Sequence, residues 1–122
     1  MAGTLFFGKN AKKTIFMKAH KTCSLTELKE AIQKTLEADC VSCSERCIGE
    51  VQTLLLVLEE YYFRSGGYVS VTVLLTEHGD TQFADIIGSG GGDGIFNLSW
   101  GANSNFAKRV EKVLEAYGFT GE

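Results

Sequence analysis

Proline is missing altogether from the 122 residues, although average usage of about 5% would supply roughly six. The chain must therefore turn on Gly, Asn and Asp, which reach unusual backbone conformations or bond to their own main chain. Fourteen glycines are present for this purpose. Long hydrophobic runs are missing too. No stretch approaches the ~20 apolar residues that span a bilayer, and Leu5-Phe6-Phe7 gives way to polar residues too soon for an export signal. These absences predict a cytoplasmic protein with no membrane partner. An excess of basic charge is also missing. The net charge is −3, and Lys12, Lys13, Lys18 and Lys21 make only a thin basic stripe, which argues against nucleic acid as a partner.

The length suits one domain, expected over residues 1–122. A domain of this size buries roughly two-thirds of its unfolded surface, enough for a core without metal or disulfide help. The 44% hydrophobic content excludes a disordered chain. The four cysteines are expected as free thiols or metal ligands, because a reducing compartment does not sustain a disulfide frame.

Along the chain, Thr14 to Lys18 reads as a first strand, with Ile15 and Met17 on one face. Ser24 followed by Glu27 is a capping box that opens an amphipathic helix over residues 25–38, marked by Leu25, Leu28, Ile32 and Leu36. Residues 39–50 read as a weak, cysteine-rich strand with a loop. Residues 51–63 fit a helical stripe or a buried strand; the closing aromatics and the following Ser65-Gly66-Gly67 favour the strand. Tyr68 to Thr76 alternates with period two. Glu77-His78-Gly79-Asp80 reads as a turn, Thr81 to Ile87 as a returning strand, and Ile95 to Trp100 as a short further one. A terminal helix carries Phe106, Val110, Val113, Leu114 and Tyr117, with Asn103 or Ser104 as its cap and Gly118-Phe119 as a Schellman ending. The expected fold is α+β: an antiparallel sheet of about 4–6 strands in the order β-α-β-β-β-β-α, covered on one face by two helices. A sheet curled around the last helix would be helix-grip-like.

The run from Tyr62 through Ser65-Gly66-Gly67 to Leu75, with the Gly79-Asp80 turn, Ser89-Gly90-Gly91 and the terminal helix, resembles a family of small bacterial domains of unknown function. The resemblance covers roughly residues 50–117. It implies strand for 51–63 and brings no activity with it. The cysteine cluster and the extra Gly92-Asp93-Gly94 depart from the family pattern.

Gly88 to Gly94 is the clearest landmark. Its N–H groups suit an anion nest, yet no P-loop lysine follows, and Asp93 stands where the dinucleotide fingerprint needs glycine. The expected use is a flexible hairpin or bulge between strands. As candidate ligand contacts the sequence offers Asp85, Ser89, Gly90, Gly91, Gly92, Asp93 and Trp100; Asp85 shares a face with Phe83 and Ile87. Trp100 and Tyr61-Tyr62-Phe63 are expected to close the core. Cys40, Cys43 and Cys47 are the candidate metal ligands; no cofactor is assigned, zinc is a candidate, and an iron–sulfur cluster would need Cys23 as its fourth ligand. On a regular strand, however, Cys40 and Cys43 would face opposite ways. Val69 to Leu75, if exposed, would let a second copy pair at an edge. These features point to a non-enzymatic ligand-binding or protein-interaction module, with no catalytic residues assigned. The alternative is a metal-binding or thiol-redox protein using Cys40, Cys43 and Cys47.

Overall fold

The computed structural model describes the backbone of residues 14–62, 66–90 and 99–122, and all side chains of these except 62 and 99–104. Strand β1 (Thr14–His20) leads through helix α1 (Leu25–Leu36) to β2 (Asp39–Ile48), β3 (Val51–Tyr62), β4 (Gly67–His78) and β5 (Thr81–Gly90). Helix α2 (Ser99–Glu115) and a two-residue strand β6 (Thr120–Gly121) complete the order. The sheet runs β2-β3-β4-β5-β1-β6, antiparallel at every junction. Residues 51–62 are strand, as the Gly-Gly hairpin signal requires. β6 had no signal in the sequence, being too short to alternate.

The elements form where local chemistry asks for them. The Ser24 Oγ accepts from the Glu27 N–H at 3.1 Å, and the Glu27 carboxylate accepts from the Ser24 N–H at 3.3 Å, closing the capping box. Gly49 and Gly79 take φ of +58° and +60° at the first central position of two-residue turns, where a type II′ hairpin needs glycine. At the end of α2, Gly118 takes φ +92° and the Phe119 N–H reaches back to the Leu114 carbonyl at 3.2 Å, the six-to-one bond of a Schellman motif.

Three expectations are corrected. The terminal helix starts at Ser99, so the backbone of Ser99 and Trp100 is helical rather than strand, and Asn103 and Ser104 lie inside the helix rather than at its cap. Residues 99–104 show no apolar stripe of their own, but extending a helix costs far less than nucleating one. Residues 95–98 of the expected strand fall outside the described residues. Glu77 and His78 belong to β4, leaving only Gly79-Asp80 as the turn. And β4 is central, its Val69, Val71, Val73 and Leu75 buried, so pairing at its edge with a second copy is ruled out; among the described strands the sheet ends at β2 and β6.

Both helices pack on the face carrying these β4 residues, with Leu54, Leu56 and Leu58 from β3 and Ile86 from β5. α2 crosses β4 and β5, α1 lies over β3 and β4, and Phe106, Phe119 and Leu28 fill the space between. At one end of this core sits an ionised group. Glu77 is 8% exposed; its carboxylate accepts from Lys21 Nζ at 2.9 Å and from Gln82 Nε2 at 2.9 Å, and Gln82 also donates to the Cys23 carbonyl at 2.8 Å. The loop from β1 to α1 is thereby tied to the β4–β5 hairpin. At the opposite end Arg109 of α2 holds both Glu60 oxygens of β3, at 2.9 and 2.8 Å, and the Leu36 carbonyl at 3.1 Å.

Burial alone pushes the Glu77 carboxyl up, but the hydrogen bonds from Lys21 and Gln82 and the Lys21 charge outweigh it, so its pKa lies below the ordinary 4.5. A carboxyl whose pKa falls on folding adds stability that is present above the unfolded value and lost as pH drops through the folded one. Glu77→Gln is therefore expected to cost about 1–3 kcal/mol in urea unfolding at pH 7, and its gap from the unsubstituted protein should close as the pH falls below about 4.

Candidate functional site

The second face of the sheet is not covered by either helix. Period-two alternation sends Thr53, Leu55, Val57 and Glu59 of β3 to this side, with Ser70, Thr72, Leu74 and Thr76 of β4. β5 adds Phe83, Asp85, Ile87 and Ser89, and β1 adds Phe16 and Lys18. Cross-strand register sets these in rows: Leu55–Leu74–Asp85–Phe16 is one, with Thr53–Thr76–Phe83–Lys18 and Val57–Thr72–Ile87–Thr14 beside it. Phe16, Leu55, Val57, Leu74 and Phe83 are half-buried, and Ile87 is 43% exposed. Lys18 Nζ stands 6.0 Å over the Phe83 ring, within cation–π reach.

Asp85 is central to this field, directly between Leu74 and Phe16. No hydrogen-bond donor reaches its carboxylate among the described residues. Its pKa is raised above the ordinary 3.8, first by burial and then by the negative charge of Glu122. Two rows further on, the Ser70 and Ser89 hydroxyls share a hydrogen bond of 2.8 Å. Tyr61 and Tyr68 meet edge to face at 5.2 Å at the end of the same surface. Tyr61 is 53% exposed, so it does not close the core as expected: Tyr61 falls on the odd-numbered, outward phase of β3, opposite to Leu54, Leu56 and Leu58. The remaining residues of that aromatic expectation, the Tyr62 side chain, Phe63 and the Trp100 side chain, lie outside the described residues.

Of the expected ligand contacts, Asp85 and Ser89 therefore share one surface. Gly88, Ser89 and Gly90 are not a turn but the end of β5, paired with Val71, Ser70 and Val69. Gly90 takes φ +85°, and a Cβ there would meet the Tyr68 carbonyl at 2.9 Å, so the glycine is required by a close backbone approach. Gly91, Gly92 and Asp93 lie outside the described residues, as does the side chain of Trp100.

The cysteines part company with expectation in one respect. A bulge between Cys40 and Ser42 shifts the register by one, so Cys40 lies opposite Leu58, Cys43 opposite Leu56 and Cys47 opposite Gln52. All three consequently share the helix-side face of edge strand β2, and all are exposed and free of disulfides, with Cys47 in a pocket beside Leu25 and Thr26 of α1. Cys43 and Cys47 are four residues apart, about 13 Å along a strand, too far for one ion. Cys23 is elsewhere, by the Glu77 cluster; burial, then the Glu27 charge, pushes its thiol pKa up, away from thiolate chemistry. Among the described residues no three His, Cys, Asp or Glu side chains gather as a metal site, and no helix is long and apolar enough to cross a membrane.

The six-stranded sheet with two helices on one side, in the order β-α-β-β-β-β-α-β, coincides with a sequence-family match over residues 11–118. The chain belongs to DUF6054, a family of unknown function. The match takes in the first strand and helix as well as the hairpins and α2. No curated protein and no solved structure matches the chain.

Two substitutions probe this face. Gly90→Ala is expected to lose about 1–3 kcal/mol in urea unfolding, because a positive φ and a carbonyl contact are strained together. Ionising Asp85 opposes folding, since its folded pKa lies above the unfolded one; the penalty is absent in acid and grows as pH rises through the folded value. Asp85→Asn should therefore raise the melting temperature at pH 7 and leave it unchanged near pH 3.

Proposed function

We propose that this chain is a non-enzymatic protein-interaction module of the cytoplasm, docking the apolar surface of a partner on its open sheet face. The observation that carries this reading is the apolar field of Phe16, Leu55, Leu74, Phe83 and Ile87, turned away from both helices around one carboxylate. A surface of this kind is the usual mark of an interaction site, and a partner with a basic group among apolar ones would meet Asp85. The exposed, unpaired thiols of β2 support a reducing compartment.

Peptide-display selection against the immobilised full chain tests the proposal. Enriched peptides should combine apolar residues with Lys or Arg, and their affinity should fall about tenfold or more on Ile87→Lys, a variant whose exposed position leaves the fold intact by circular dichroism. No enrichment, or binding indifferent to both Ile87→Lys and Asp85→Asn, refutes it.

A second reading, soft-metal or thiol chemistry, is favoured by the bulge that turns Cys40 and Cys43 to one face about two residues of strand apart. Elemental analysis with thiol titration decides it: bound zinc with protected thiols supports the reading, and four free thiols without metal ends it.

A further inference from the structure

On the opposite side of the molecule, the outer seam between α1 and α2 is not closed. It forms a groove of about 510 Å3 lined by Ala31 and Thr35 of α1 and by Arg109, Lys112, Val113, Ala116 and Tyr117 near and beyond the end of α2. The volume falls among those of small-molecule sites, roughly 300–1,000 Å3. We propose that this groove binds a free medium-chain carboxylate, its tail along Ala31, Val113 and Ala116 and its head at Lys112.

Three observations carry the assignment. The floor is built from small or apolar side chains, and Ala31 is half-buried and Ala116 exposed, so an alkyl chain laid there displaces water from apolar surface. The groove is also electrostatically one-sided in a chain of net charge −3. Both charged residues that line it are cations, Arg109 and Lys112, and neither Glu111 nor Glu115 of α2 is among the lining residues. Glu27, one turn before Ala31, is engaged with Ser24 in the capping box. Finally, the two cations differ in availability. The Arg109 guanidinium is held by Glu60 and the Leu36 carbonyl, whereas Lys112 has no carboxylate partner among the described residues. This site is independent of the sheet-face reading.

The test is an NMR titration of the 15N-labelled full chain with decanoate below its micelle concentration, beside decanol and acetate. Decanoate should shift the amides of Ala31, Thr35, Val113 and Ala116 saturably. Decanol should bind more weakly, and acetate not at all. Lys112→Gln, at an exposed position, should weaken decanoate about three- to fivefold and leave decanol unchanged. Ala116→Leu should fill the groove and abolish the shifts while the melting temperature is kept. Equal binding of decanol and decanoate, shifts confined to the sheet face, or undiminished binding by Ala116→Leu would each overturn the proposal.

Discussion

β4 is paired along its length to β3 on one side and to β5 on the other, and its register decides which half of each strand meets the helices. A one-residue slip at either junction would carry Val69, Val71, Val73 and Leu75 to the open face and Ser70, Thr72 and Thr76 into the core. The hairpin turn at Gly79 sets the β4–β5 register, and the one at Gly49 sets β2 against β3, since two-residue turns leave no slack. The helices then have one apolar surface to cover, and they cover it from one side.

Two polar clusters hold that helix layer against the sheet from opposite ends. Glu77 with Lys21 and Gln82 secures the start of α1, and Arg109 with Glu60 and the Leu36 carbonyl secures its finish while anchoring α2. Each joins groups far apart in sequence. Neither is worth much as an exposed ion pair, but Glu77 is desolvated, and losing a donor there would leave a buried charge unmet. The geometry of the α1–α2 seam, and with it the groove beside Lys112, follows from where these two clusters fix the helix ends.

Much of the architecture was legible beforehand. The capping box, the alternation of β4, the Gly-Asp turn and the Schellman ending are local, and each requires only a few neighbouring residues to reveal it. Asp85 on a shared face with Phe83 and Ile87 was legible for the same reason. The start of α2 was not, because weak helix formers at 99–105 carry no stripe. Nor was the common face of Cys40 and Cys43, since a bulge arises from pairing with β3 and leaves no mark in the spacing of β2 alone.

The glycine-rich landmark shows the division most clearly. A glycine segment lacking the lysine and the helix of a phosphate loop was evident from the residues themselves. That its first three residues extend β5, and that Gly90 is there because the Tyr68 carbonyl leaves no room for a Cβ, depends on a strand some twenty residues away. By itself the sequence determined α1, the strands β1 and β3 to β5, the end of α2 and the antiparallel α+β class, all governed by contacts within a few residues. Only the tertiary structure decided which sheet face the two helices cover, where Glu77 is buried and where the helix seam gapes, because those depend on long-range pairing and on the space that packed side chains leave.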